Sequence, residues 1–305
     1  MSQRPRIRRF GFLVLAAGLL VAAGPPGNNF VTVDVPGAVL TGAFGISNQG
    51  IVTGQYYDEA FNSHGFVYLN GVVMTVDGPT SSPALSQAAL YNINNQDWVG
   101  AQYVDDNGIF RAATYNIGTQ VWNTLPVIPG AGYNAAGGVN AQGVIAGNWT
   151  TDPTISTGNQ GWMFDPRTGS YSFFDVPGAD KVHYVGTIVN GINNAGVVAG
   201  YFSDSNGVYH GFTKIGGQFQ TIDVPGADFT ILQDINDQGD LSGAYSVGGV
   251  RNGFVLTRAG KLITIDVPVV NHTVLAGISD NGNVAGYYKD ADGVFHGFYV
   301  LKAVP

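Results

Sequence analysis

The sequence predicts an all-β chain, a six-bladed β-propeller of four-stranded antiparallel blades, and three observations carry that expectation. A segment of 43–50 residues recurs six times. Each copy holds four short extended runs separated by turn signals, and no stretch beyond the first 23 residues repeats apolar positions at the period of a helix. Four strands in about 45 residues is the size of a propeller blade. A parallel β-helix repeats at a shorter period. Two tandem β-trefoils also need six units of this length, but trefoils are not built from separate four-stranded units.

The first run of each copy is the most recognisable. Phe-Val-Thr-Val-Asp-Val-Pro-Gly-Ala at 30–38 returns as Tyr-Ser-Phe-Phe-Asp-Val-Pro-Gly-Ala at 171–179 and as Phe-Gln-Thr-Ile-Asp-Val-Pro-Gly-Ala at 219–227, with more worn copies from Val73, Val121 and Leu262. Proline ends the run at 36, 79, 129, 177, 225 and 268, which suits a strand end or an outer edge where no ladder donor is missed. The second run leads into Gly-Ile-Asn or a relative, with Ile46, Ile93, Val139, Ile192, Ile235 and Ile278 in register. Turns such as Asn194-Ala195-Gly196 follow, rich in residues that tolerate left-handed backbone. The third run enters a glycine present in all six copies (54, 100, 147, 200, 243, 286), with Tyr56, Phe202, Tyr245 and Tyr288 beyond it. The fourth carries His-Gly-Phe at 64–66, 210–212 and 296–298.

With the Gly-Ile-Asn strand innermost and the Asp-Val-Pro strand outermost, the last three strands lack an outer partner. Residues 30–35 can supply it, so the ring is expected to close by the N-terminal strand joining the last blade, which leaves no open sheet edge. The expected organisation is a signal peptide over 1–23, a short linker over 24–29 and one propeller domain over 30–305. Arg4, Arg6, Arg8 and Arg9 precede a 14-residue apolar stretch, Phe10 to Ala23. That stretch is shorter than the ~20 residues of a membrane span, and small residues then suit cleavage. Export to the extracellular space, periplasm or cell surface follows, with no membrane span in the mature chain.

Composition narrows the chemistry. The 45 glycines point to many tight turns, and 45% hydrophobic against 11% charged residues excludes disorder. Without cysteine there are no disulfides, thiolate nucleophiles or cysteine metal sites. Removing the first 23 residues removes four arginines and no acid, taking the formal charge from −8 to −12. Nucleic acid is thereby disfavoured as a partner.

The ordered set Thr-Ile-Asp-Val-Pro-Gly-Ala, Gly-Ile-Asn, Gly followed by an aromatic, then His-Gly-Phe resembles the HAF repeat of predicted extracellular bacterial proteins, over 30–301. The departures are glycine for alanine within the tripeptide, Arg111-Ala112-Ala113 in copy two and Gln160-Gly161-Trp162 in copy three. The resemblance implies secretion and repeat architecture and carries no catalytic residues.

Equivalent histidines in different blades sit apart around a ring and cannot converge on one reaction. They are expected instead to hydrogen-bond aspartates of the outer strand in the same blade: His64 with Asp77, His210 with Asp223, His296 with Asp34. Copy two has Arg111 in the histidine slot and Val127 in the aspartate slot. Asp105-Asp106-Asn107-Gly108 and its relatives are too short for a calcium loop of ~12 residues and read as hairpin turns; a single calcium is conceivable, and no cofactor or other metal is expected. No catalytic triad, phosphate loop or zinc spacing is present, and the near-absence of glutamate argues against a paired-carboxylate glycosidase. Insertions distinguish copy two (Pro79 to Asn92), copy three (Trp149 to Gln160) and copy four (Pro177 to Gly191). Loops on a rigid scaffold are where binding residues gather, so Tyr91, Asp152, Lys181, His183 and Tyr184 are the ligand-binding candidates. The expected function is a secreted, monomeric, non-enzymatic module binding extracellular carbohydrate or protein. A polymer-degrading hydrolase or lyase and a structural envelope protein are the alternatives.

Overall fold

Val-Pro-Gly-Ala closes a type II turn: Ala38 N donates to Val35 O, Ala179 N to Val176 O (both 3.0 Å) and Ala227 N to Val224 O (3.1 Å). Proline presets φ at the second position, and only glycine takes the third without strain, at φ of 80° for Gly37. A threonine of the next strand locks the turn from inside. Thr41 Oγ1 accepts the Val35 N–H at 3.2 Å, and Thr187, Thr230 and Thr273 do the same for Val176, Val224 and Val267.

In a computed structural model of the chain, which describes residues 30–81, 87–268 and 270–303, these turns join 24 strands into six four-stranded antiparallel sheets, without helices among the described residues. The chain is a six-bladed propeller. The innermost strands of blades one to six are Leu40–Ile46, Ala88–Ile93, Tyr133–Val139, Thr187–Ile192, Phe229–Ile235 and Thr273–Ile278. They touch in cyclic order, the first also meeting the sixth. The strand Phe30–Val33 pairs antiparallel with Phe295–Val300, Phe30 opposite Val300 and Val33 opposite Gly297, and completes blade six. The expected signal peptide and linker lie outside the described residues.

The His-Gly-Phe tripeptide has a packing logic. Phe66, Phe212 and Phe298 are fully buried, as are Phe254 and Trp162 in the same slot; truncating a core aromatic of this kind costs ~3–5 kcal/mol. The glycine admits the next blade: a Cβ on Gly65 would stand 3.0 Å from Leu90 Cγ, and one on Gly211 would stand 2.9 Å from Leu232 Cγ. The core is accordingly a set of clusters between adjacent blades, such as Ala199 of blade four with Leu232 and Phe254 of blade five.

The Gly-Ile-Asn strand ends bind blade to blade. Asn140 Nδ2 donates to Asn193 O, Asn193 Nδ2 to Asn236 O and Asn236 Nδ2 to Ser279 O, at 3.1–3.3 Å. One residue on, a second ring runs the same way: Asn194 N donates to Asp237 Oδ1 and Asp237 N to Asp280 Oδ1, both at 2.8 Å.

Candidate ligand-binding funnel

Each innermost strand breaks register at the same place, between Ala43 and Gly45 in blade one, Leu90 and Ile93 in blade two, and equivalently in the other four. Bulges re-aim side chains. Here they turn Phe44, Tyr91, Gly137, Asn190, Gln233 and Ala276 into one cavity of about 250 Å³ at the ring centre. The next position forms the waist of the channel: glycine at 45, 138, 191 and 277, Asn92 in blade two and Asp234 in blade five. Glycine is required by close approach, since a Cβ on Gly191 would meet Asp234 Oδ1 at 2.6 Å. Asn92 spans the waist, its Nδ2 donating to Asn190 O at 2.9 Å and Gln233 O at 3.1 Å. Beyond it, a second cavity of about 290 Å³ is lined by the asparagine turns and Asp234.

The two cavities differ in chemistry. The first is walled by an aromatic collar that crosses blade boundaries. Tyr287 meets Phe44 edge-on at 6.1 Å between centroids, and Phe44 stacks on Tyr91 at 5.7 Å. Tyr91 and Tyr133 hydrogen-bond through their side chains, and Tyr201 completes the wall. Asn148, Asn190 and Gln233 bring amides to the same space. Burial raises the phenols of Tyr91, Tyr133, Tyr201 and Tyr287 above their ordinary value, so all four stay neutral hydroxyls at physiological pH. No Asp, Glu, His, Lys or Arg lines this cavity among the described residues.

Of the five ligand-binding candidates from the sequence, Tyr91 is in the funnel. Asp152 is consumed by its own hairpin, accepting from Thr154 N at 2.8 Å and Thr157 N at 3.1 Å. These bonds, with that of the Thr154 hydroxyl first among them, lower its pKa to about 2. Lys181 Nζ pairs with Asp175 Oδ2 at 2.7 Å, and His183 Nδ1 with Asp180 Oδ2 at 3.0 Å, both on the outer surface. Tyr184 is exposed beside His183. The insertions of copies three and four dock on each other, Gly158 N donating to Lys181 O at 2.9 Å and Asn159 N to Val185 O at 3.0 Å. Ile155, at the tip of the first, reaches the funnel, and the second reaches it where it enters the innermost strand, at Ile188, Val189 and Asn190. The insertion of copy two lies partly outside the described residues.

The histidines stand between two carboxylates. His64 Nδ1 is 2.6 Å from Asp77 Oδ1, His210 Nδ1 is 2.9 Å from Asp223 Oδ2 and His296 Nδ1 is 3.0 Å from Asp34 Oδ2. On the other side, Nε2 of His64 and His296 faces Asp58 and Asp290 of the hairpin turns at 3.4 and 3.1 Å. Each ring stacks on an aromatic of the neighbouring strand, Tyr56, Phe202 or Tyr288. Where glutamine replaces histidine, Gln160 Nε2 donates to Asp175 at 3.0 Å; Arg111 turns to Asp105 at 2.8 Å. In blade five, Asp266 accepts the Gly253 N–H and not the Asn252 side chain.

No family model and no curated protein matches the chain. Solved structures share its architecture. SapL1 lectin in complex with α-methyl fucoside is similar at TM-score 0.54 and 11% identity, over 88% of this chain and 94% of that one. The six-bladed lectin of Aleuria aurantia, described with a novel fucose recognition mode, gives TM-score 0.52 and 9% identity over 90% and 99%. A streptogramin B lyase gives TM-score 0.51 and 12% identity over 88% and 86%. Lectins and a lyase share this shape, so the likeness establishes the fold and leaves the activity to the side chains of the funnel.

Proposed function

We propose that this chain is an exported, non-enzymatic propeller that binds a carbohydrate in the aromatic funnel. The observation that carries the reading is the collar of Phe44, Tyr91, Tyr201 and Tyr287 around the amides of Asn148, Asn190 and Gln233. Ring faces cover the apolar faces of a sugar, while neutral hydroxyls and amides exchange hydrogen bonds with its hydroxyl groups. A cavity of about 250 Å³ is below the ~300–1,000 Å³ of drug-sized pockets and suits a single sugar unit, with the rest of the chain of sugars outside. The lack of converging acids and bases in its lining supports binding over hydrolysis or elimination, both of which need a placed proton donor or acceptor. Two of the similar folds carry fucosides in their descriptions, which supports testing that class first. Export rests on the basic and apolar N-terminal segment.

A glycan array probed with the full chain, followed by calorimetry on the best hits, tests the reading. Tyr91→Ala and Phe44→Ala are expected to weaken binding roughly tenfold or more, as for central aromatic anchors. Binding that survives both substitutions, or an array without hits, overturns it.

A further inference from the structure

The funnel is electrically neutral, but its rim between blades five and six is not. Arg251 opens the third strand of blade five, and its guanidinium Cζ lies 4.9 Å from the centroid of Phe229. Its Nη1 is 3.4 Å from His272 Nε2. Backbone bonds fix this corner: Arg251 N donates to Asn271 O and Lys289 N to His272 O, both at 3.0 Å. Lys289 stands over Phe295, its Nζ 5.5 Å from the centroid.

Two cations are thus held together on a chain whose net charge is −8. Elsewhere, Arg111, Arg167 and Lys181 each have an aspartate within 2.8 Å. Among the described residues, no such partner faces Arg251 or Lys289. Two acids of this corner are engaged elsewhere: Asp228, next to Phe229 in sequence, accepts from Ser246 Oγ at 3.2 Å, and Asp290, next to Lys289, faces His296. His272 feels the same field: burial first, then Arg251 and Lys289, lower its pKa to about 4, so it is neutral at physiological pH. The corner adjoins the funnel, because His272 and Phe295 both pack against Tyr287 of the collar.

From this placement we infer that Arg251, with Lys289 and His272, forms a subsite for the carboxylate of an acidic sugar, a uronate unit whose ring or neighbour occupies the aromatic funnel. The inference rests on the carbohydrate reading and names its substrate class. A planar guanidinium fork matches a carboxylate with two parallel hydrogen bonds, and its face is already stacked on Phe229, which preorganises it. Lys289 adds a point charge, and neutral His272 a ring N–H.

The test is calorimetry of the full chain against matched neutral, uronate and sulfated oligosaccharides, with Arg251→Gln, Lys289→Gln and, as a surface control, Lys261→Gln. Wild-type protein is expected to prefer the uronate over its neutral counterpart by roughly 10- to 100-fold, the range for a charge-assisted hydrogen bond. Arg251→Gln should abolish that preference while leaving neutral-sugar affinity in place, Lys289→Gln should reduce it, and Lys261→Gln should not alter it. Should Arg251→Gln fail to fold, Lys289→Gln still reads the subsite. Equal affinity for neutral and uronate sugars overturns the subsite and leaves the funnel reading standing. Equal affinity for sulfated and uronate sugars overturns the assignment to carboxylate. Absence of binding to any sugar overturns both.

Discussion

Asn92 Nδ2 lies 2.9 Å from the backbone oxygen of Asn190 and 3.1 Å from that of Gln233, so one side chain of blade two reaches blades four and five across the channel. In the turn that follows the same strand, Asn95 Nδ2 donates to Asp280 of blade six, and the Asn92 contact separates the two cavities of the channel. Asn92→Ala leaves two inward carbonyls without their donor and is expected to destabilise the fold by ~1–3 kcal/mol. Asn92→Asp places a carboxylate against the same oxygens and is expected to cost more than alanine at pH 7. Urea unfolding midpoints check the order; an aspartate variant as stable as wild type rules out the bridge.

The glycine found in all six third runs answers to the backbone packed against it, the partner strand for Gly54, Gly147, Gly200, Gly243 and Gly286 and the next blade for Gly100. A Cβ on Gly243 would sit inside contact distance of the Ile231 carbonyl oxygen and 3.1 Å from its carbon, both backbone atoms that cannot rotate away. Gly243→Ala is expected to lower stability by ~1–3 kcal/mol, as overpacking does. Gly217→Ala, in an outer hairpin with open space around it, should fall within about 0.5 kcal/mol of wild type. Thermal unfolding of the two variants side by side checks the contrast.

The repeat was legible because propeller blades are built from local hairpins, and turn chemistry is written in short motifs: Val35-Pro36-Gly37-Ala38, or Asn193 through Gly196. Ring closure by the N-terminal segment, expected over 30–35 and formed by the strand Phe30–Val33, follows from counting strands. The funnel was mostly not legible. A bulge is a property of two paired strands, and alternation along one strand does not reveal that Phe44, Asn190 and Gln233 turn inward. The one usable signal is that the residue before the Gly-Ile-Asn slot varies from copy to copy, while its flanks recur. Tyr91 was found because it also ends an insertion. Asp152, Lys181 and His183 lie on inserted loops, but their polar groups are bonded within those loops and to Asp175, and position on an insertion does not distinguish a group that holds a loop from one that meets a ligand.

His296 ties the closing strand to blade six through Asp34, with Asp290 on its other nitrogen. Burial opposes its charge, but the hydrogen bonds and charges of Asp290 and Asp34 outweigh it and raise its pKa above 6.5. A histidine with a raised folded value contributes stability that is fully present below its unfolded pKa and lost as pH rises through the folded one. The ring is partly exposed and the pair is screened, so the effect is expected to be under ~1 kcal/mol. His296→Gln, the side chain that blade three carries in this slot as Gln160, should keep one hydrogen bond and remove this loss of stability above pH 6.5. Limited proteolysis near residue 30 provides the second readout: His296→Ala should expose the closing strand to cleavage, and His64→Ala should not.

Asp234 gives the waist of the channel a pH dependence of its own. Its carboxylate is buried at the waist, accepting from Ile235 N at 2.8 Å on one oxygen and from Ile278 N of blade six at 3.1 Å on the other. Burial raises its pKa from 3.8 to about 8; the two N–H bonds oppose that shift, and Asp280 and Asp237 at the same mouth reinforce it. Between those pH values the folded chain holds a proton that the unfolded chain has released, so stability falls as pH rises from about 4 to about 8. The full change is on the order of 6 kcal/mol at ~1.4 kcal/mol for each pKa unit. Asp234→Asn, the residue that blade two carries at this position, cannot ionise. It is expected to start lower at pH 4, because an amide offers one acceptor where the acid offers two, and then to lose the slope. The two curves should therefore cross between pH 4 and pH 8, wild type the more stable in acid and the asparagine variant at the alkaline end. Chemical denaturation across that range measures both, and a wild-type curve that is flat or rising there shows Asp234 to be ionised in the folded ring.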